Sequence, residues 1–352
     1  MGVSRLRCLD RTEYGDLNHA TGDAVMREAI VTAFVAAALF TGEAAAQCPT
    51  SPGVVATVIH PAYSGDVQNP RVLIDQGHFN MQTPSGSYRT FTELICNDGY
   101  HVSINTTPFD SAVLAEHDVL VIVSPQPYPD SLVRWSDPVI THASWTAPAL
   151  AEEEIDTIVD WVRHGGALLL ITGHAPQAFW SAPLAGRFGV DVHNSYAADS
   201  VNSDRASETI PRGAWVLFSR ENGLLADHPV TNGRSERERV RRIRGNGAAS
   251  LAGPPSSAAF LKLGDFAHEW IFHAFAFWDD ARYSVAGAAG RAQGVALRHG
   301  DGRVVVLAPS AIFFETYMAR TDMDYRRLAL NVMHWLSGLT EPSTAPGRGG
   351  RQ

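Results

Sequence analysis

Lysine is nearly missing from this chain: of 28 basic residues in 352 positions, Lys262 is the single lysine and the rest are arginine. Set against 37 acids, they leave a formal net charge of −9, which offers no electrostatic footprint for wrapping nucleic acid. Cysteine is as scarce. Cys8, Cys48 and Cys96 are too few for a disulfide-dense scaffold or for a zinc site of four thiolates. The chain also lacks a G-x-S-x-G nucleophile elbow, a G-x-G-x-x-G turn after a strand, and a phosphate-binding P-loop. What it does hold is 45% hydrophobic and 18% charged residues, the balance of a globular protein with a substantial core.

An uncharged apolar stretch runs from Ala29 to Gly42. At 14 residues it is too short to span a bilayer, which takes about 20. It has the length and composition of a secretory signal core, and Ala44-Ala45-Ala46 supplies a small-residue cleavage site. Met26-Arg27 makes a short positive start, so residues 1–25 read as a stretch upstream of the true initiator or a disordered leader, and 26–46 as the signal. Cleavage after Ala46 leaves Gln47 before Cys48, and Gln47 is not the small residue a lipid anchor needs. The expectation is a periplasmic or secreted protein with no membrane attachment after cleavage. There Cys48 and Cys96 are able to pair, although Cys96 in FTELICNDGY reads equally well as a small buried apolar residue.

After a lead over 47–69, strand-like and helix-like patterns alternate. Arg71 to Asp75, His101 to Asn105, Val119 to Ser124 and Ala167 to Thr172 read as strands, the last two with the continuous apolar run of a strand covered on both faces. Residues 89–98, 151–164 and 177–188 read as helices; the second has acids in its first turn and stops at Gly165-Gly166. This alternation predicts a mostly parallel central sheet. Near the end, residues 294–298 and 303–307 flank His299-Gly300-Asp301-Gly302 as a hairpin, and Asp324 to Leu336 forms a closing helix. The tail 341–352 is expected to be disordered. The basic run Arg234 to Arg244 is broken by Glu236 and Glu238 and reads as a solvated face or loop.

In open parallel sheets, ligands bind beyond the carboxyl ends of the strands. Behind the expected strands come Asp75, His78 and Asn80; then Ser124; then His174; then Ser310 with Glu315 a little further on. Each has a plain structural reading: Asp75 as the cap of its turn, His78 as a partner for a loop carbonyl, His174 as a packing or capping imidazole. Placed on one rim, they form a candidate site. His268 and His273 resemble a zinc pair but stand five apart rather than four, so 266–278 reads as a mostly buried aromatic segment with no metal.

The segments VLIDQGHFN, FTELICNDGYHV, DVLVIVSP, WVRHGGALLLITGHAP, DHPVTNG and GRVVVLAPSAIFFE, with LALNVMHWLSG, resemble the class I glutamine amidotransferase-like superfamily over roughly 70–340. DHPVTNG, Asp227 to Gly233, is similar to trehalose-utilisation-type relatives. The resemblance implies a flavodoxin-like three-layer α/β sandwich. It also exposes a departure, because those amidotransferases carry a nucleophilic Cys on a tight strand-to-helix turn, and Ile171 to Ala175 holds none. Glutamine hydrolysis is therefore not expected. The expected function is an exported, non-catalytic domain that binds a small polar ligand (a sugar among the candidates) or a protein partner, with ligand contacts from Asp75, Asn80, Ser124 and Ser310. The alternative is a hydrolase in which His78 or His174 serves as general base and Asp75 or Glu315 orients it. No cofactor, metal or nucleic-acid partner is called for.

Overall fold

Short runs that are apolar at every position, too brief for a helix, become the central strands. β1 (Arg71–Asp75), β2 (His101–Asn105), β3 (Val119–Val123) and β4 (Ala167–Ile171) each have five residues, and β3 and β4 are buried throughout. The computed structural model describes residues 48, 54–64, 69–129, 147–203, 213–273 and 283–340, all within one unit spanning Ala44–Gln352. The expected leader (1–25), signal (26–46) and tail (341–352) lie outside the described residues. Within them, the chain continues with β5 (Asp191–Val192), β6 (Ser195–Ala198), β7 (Leu217–Ser219), β8 (Arg242–Arg244), β9 (Leu251–Ala252), β10 (Ala258–Lys262), β11 (His268–Phe272), β12 (Tyr283–Gly287), β13 (Ala292–His299) and β14 (Gly302–Leu307). The helices are α1 (Arg89–Asn97), α2 (Ser111–Ala115), α3 (Glu152–Arg163), α4 (Gln177–Arg187), α5 (Pro229–Asn232), α6 (Glu315–Met318) and α7 (Tyr325–Leu336).

The main sheet has nine strands in the order β2-β1-β3-β4-β14-β13-β9-β5, with β10 also pairing with β13. From β2 to β14 the neighbours are parallel, for example Val72 opposite Val102, Val121 opposite Leu169 and Val305 opposite Leu169 on its other side. The hairpin of β13 and β14 turns at His299 and Gly302 as the sequence indicates, and brings in the antiparallel edge. Because side chains alternate across a strand, each parallel strand feeds two cores. Val72, Ile74, Leu169 and Leu307 pack with α1 and α7 on one face; Leu73, Leu120, Leu168 and Val306 pack with α3 and α4 on the other. The result is the expected three-layer α/β sandwich.

The N-terminal lead is tied down at the far end of α1. Cys48 and Cys96 form a disulfide with their Cα atoms 5.5 Å apart. Beside it, Gly99 ends the helix with φ +98°, and a Cβ there would lie 1.9 Å from the Tyr63 carbonyl oxygen, so only glycine lets the lead pass this close.

One expectation is corrected. The segment from 266 is not a mostly buried aromatic stretch: Phe266 is 71% exposed, and His268–Phe272 is a strand, β11, set antiparallel between β6 and β12 in a separate three-stranded sheet. The one fully buried side chain of β11 is Glu269, not an aromatic. Residues 274–278 of the segment lie outside the described residues.

Candidate functional site

β1 lies between β2 and β3, so the chain leaves β1 on one side and returns past it to the other. Such a reversal opens a crevice beyond the carboxyl ends of the strands. The segments behind β1, β3 and β4 meet there. The Met81 amide donates to the Ser124 carbonyl (3.1 Å), the Gln126 amide to the His78 carbonyl (2.9 Å), and the Ser124 amide to the Ile171 carbonyl (2.7 Å). Two non-glycine residues carry positive φ at this rim, Phe79 (45°) and Ser124 (41°), a conformation that side chains adopt at local cost.

At the tip of β1 sits a buried ion cluster. His78 Nδ1 is 2.9 and 3.0 Å from the two Asp75 oxygens, and Nε2 is 2.9 Å from Glu154 Oε1. A carboxylate on each nitrogen requires both to donate, so the ring is an imidazolium. Burial pulls the His78 pKa down, but the hydrogen bonds and charges of Asp75 and Glu154 outweigh it and the net shift is upward. Each acid is held by further donors. Asp75 accepts from the Gly77 amide, Asn80 Nδ2 and Asn105 Nδ2 at 2.9–3.2 Å. Glu154 accepts from the backbone amides of Phe109 (2.8 Å) and Ala151 (2.9 Å), and the second of these caps its own helix. Burial raises the Glu154 pKa, yet those amides and His78 lower it on balance. The His78 ring also stacks on Phe109, with centroids 4.9 Å apart.

This is a clamp joining the β1 loop to the start of α3, and it leaves His78 no free nitrogen with which to take a proton from a substrate. In this arrangement His78 has no nitrogen available for the expected general-base chemistry, and Asp75 and Asn80 belong to the same clamp. The clamp also sets a pH window. The contribution from His78, whose folded pKa is raised, is complete below its ordinary 6.5 and fades as pH climbs through the folded value. That from Glu154, whose folded pKa is lowered, is complete above 4.5 and is lost as pH falls through the folded value. The urea midpoint of the protein is thus expected to drop between pH 6 and pH 8.5, and to drop less in a His78→Gln variant. Parallel profiles for the two proteins would show that the clamp does not titrate with folding.

The other expected residues are placed differently. His174 has Nδ1 2.7 Å from the Ala175 carbonyl oxygen, and its ring stacks on Tyr196 with centroids 4.3 Å apart; burial lowers its pKa to about 4. Such an imidazole is neutral and weakly basic. Glu315 is exposed at the start of α6 and makes no side-chain hydrogen bond or ion pair among the described residues. Hence His78, His174 and Glu315 do not form one hydrogen-bonded group. Ser310 is buried at the tip of β14, where its carbonyl accepts from the Tyr88 hydroxyl at 2.7 Å.

The segments behind the strands also hold neutral polar groups without partners. Ser124 Oγ, Gln82 Oε1 and Gln177 Oε1 are buried with no hydrogen bond among the described residues, and all three side chains are 5% exposed or less. Two of them are close together: a Cβ added at Gly173 would stand 3.2 Å from both Ser124 Oγ and Gln177 Cβ, and Gln177 Nε2 reaches the sulfur of Met81, which precedes Gln82 in the chain, at 3.6 Å. Leaving such atoms unpaired is unfavourable by roughly 1–3 kcal/mol each. Gln82 and Gln177 were not among the sequence candidates. Nor was Glu154, whose signal in the sequence is its place three residues after Ala151, where a helix acid reaches back to its own cap. Among the described residues, no three His, Cys, Asp or Glu side chains are grouped to hold a metal ion, and no helix is long and apolar enough to cross a membrane.

No protein-family model matches the chain, and no curated protein matches it. Among solved structures, the chain is similar to the mmIFT52 N-terminal domain, at 12% identity and TM-score 0.53, over 76% of this chain and 97% of that one. It is also similar to two Salmonella typhimurium cytoplasmic proteins. STM3548 has 14% identity and TM-score 0.39 over 76% and 98% of the two chains. STM1381 has 13% identity and TM-score 0.41 over 76% and 98%. At such identities the mmIFT52 likeness speaks for the shared α/β fold and for nothing about activity.

Proposed function

We propose that this protein is an exported binding domain that takes a small polar ligand in the crevice at the carboxyl ends of β1, β3 and β4. The observation that carries this reading is the buried, unpaired pair Ser124 Oγ and Gln177 Oε1 beside Gly173, with Gln82 Oε1, likewise unpaired, on the segment behind β1. Two amide acceptors and a hydroxyl suit a ligand with several O–H or N–H donors, of which a sugar is the simplest. The rival reading, a hydrolase using His/acid general-base chemistry in the same crevice, has less support. His78 is occupied on both nitrogens, and His174 is neutral with a depressed pKa. Cys48 and Cys96, the two cysteines among the described residues, are bonded to each other. Ser124 occupies a strained turn at a strand tip, where nucleophiles are found, but no imidazole or carboxylate contacts its hydroxyl among the described residues. The disulfide favours an oxidising compartment, in keeping with the apolar segment before it.

A thermal-shift screen of monosaccharides and small polyols against the full chain tests the reading. A ligand present at about a hundred times its Kd adds roughly 2.7 kcal/mol of stability. The response is expected to weaken about tenfold in concentration in both Ser124→Ala and Gln177→Ala. A ligand response untouched by both substitutions would move the site elsewhere and end the proposal.

A further inference from the structure

A second cavity, of about 890 Å³, opens along the outer side of α7, between that helix, the segment around Val55 to His60 and the loop at Arg234 to Glu238. Its volume is that of a site for a small organic molecule. Five arginines line it (Arg234, Arg237, Arg320, Arg326 and Arg327) against three acids, Asp98, Glu238 and Asp324. The acids are already committed. Glu238 binds Arg234 at 2.6 Å, Asp324 pairs with Arg327, and Asp98 holds the buried His334 at 2.6 Å. Arg320 pairs with Asp322 beside the cavity at 2.6 Å.

Two guanidinium groups are left over. Arg237 is exposed and makes no hydrogen bond or ion pair among the described residues. Among the described residues, Arg326 donates only to the Thr57 carbonyl and its buried Nε has no partner; its sequence neighbour is another cation, Arg327. By contrast, Arg71, Arg163, Arg187, Arg220 and Arg291 each reach a carboxylate. Two further wall residues are almost wholly buried, Asn331 (1%) and His334 (2%), and each keeps one atom, Oδ1 and Nδ1, without a partner. The apolar part of the wall is Val58, Ile59, Met318, Met323 and Leu330, with His60, Thr57, Ser235 and Thr321 as its other polar residues. Ile59 is 83% exposed, more than any other large apolar side chain described.

We propose that this cavity binds a small amphipathic anion, a phosphate or carboxylate on an apolar body, with Arg237 and Arg326 holding the anionic group and the methionine and aliphatic side chains covering the rest. Guanidinium groups match such anions through paired hydrogen bonds. An unneutralised pair beside apolar surface is the arrangement an amphipathic anion completes, and neither a sugar nor a cation would satisfy it. The proposal is independent of the strand-tip rim, where the imidazolium of His78 is already held between Asp75 and Glu154.

Isothermal titration of the full chain with n-octyl phosphate, inorganic phosphate and n-octyl glucoside tests it. Saturable binding of octyl phosphate is expected, weakened at least about tenfold in both Arg326→Gln and Arg237→Gln. Arg237 has no partner to lose, so its substitution keeps the test valid should Arg326→Gln fail to fold. Absence of octyl phosphate binding, or binding unchanged in both variants, overturns the proposal. Inorganic phosphate binding as tightly as octyl phosphate overturns the apolar half, and octyl glucoside binding as tightly overturns the anionic half. Sedimentation with vesicles of phosphatidylcholine and phosphatidic acid in equal parts, without binding of soluble octyl phosphate, assigns the arginines to a membrane surface and likewise overturns it.

Discussion

A His78→Gln variant is expected to lose about 3–5 kcal/mol of unfolding free energy, the cost of removing one partner from a buried ion cluster. Asp75 is fully buried and Glu154 nearly so, and both would keep their charges after the cation between them is gone. The amides of Gly77, Asn80, Asn105, Phe109 and Ala151 still donate to them, which argues for the lower end of that range. Glutamine also gives up the ring stacked on Phe109. Urea unfolding at pH 6 measures the loss. Combining His78→Gln with Glu154→Gln removes one of the stranded charges, so the double variant should be less destabilised than the two single losses added together. A single-variant loss below about 1 kcal/mol would mean the carboxylates are solvated and the clamp holds nothing.

Breaking the Cys48–Cys96 bond is the second large effect. The bridge spans 48 residues, and closing a loop of that length in the unfolded chain is worth about 4 kcal/mol by the chain-entropy relation, with 2–4 kcal/mol the usual yield. Both cysteines also pack against the core on the α1 and α7 side, so exchange for serine adds a small burial loss to the entropic one. Cys48→Ser and Cys48→Ser/Cys96→Ser are expected to unfold at matching, lower denaturant concentrations. Wild type treated with dithiothreitol should join them. Identical unfolding of the oxidised and reduced proteins would show that the bridge does not constrain the unfolded chain.

Most of the sheet was legible because its signals are local. VLVIV and ALLLI are apolar at consecutive positions, and only a strand covered on both faces uses such a run. The acids at the start of α3 and the double glycine after it mark that helix at both ends. The segment around β11 misled because its five residues mix aromatic, acidic and basic side chains. Glu269 is buried there because Ser195 and Ser250 each donate to it at 2.6 Å and His193 Nδ1 lies 2.7 Å from its other oxygen, and those partners come from other parts of the chain. Nothing near Glu269 in the chain announces them.

The candidate site divides in the same way. The residues just past each strand end located the rim, including Asp75, Asn80 and Ser124, since parallel strands must end on one side of the sheet. Their position along the chain could not assign their work. Whether His78 acts as a base or as a buried cation turns on Glu154, which lies 76 positions away. Arg237 was, in the chain, part of a charged run and Arg326 a position in the closing helix, and only the fold made both line one cavity. Composition and periodicity determined the layered α/β architecture and which residues follow each strand, because those depend on which residues neighbour each other along the chain. Protonation, pairing and the unpaired polar groups were decided by the tertiary structure alone, because electrostatics and hydrogen bonding act across a few ångströms of space whatever the distance in sequence.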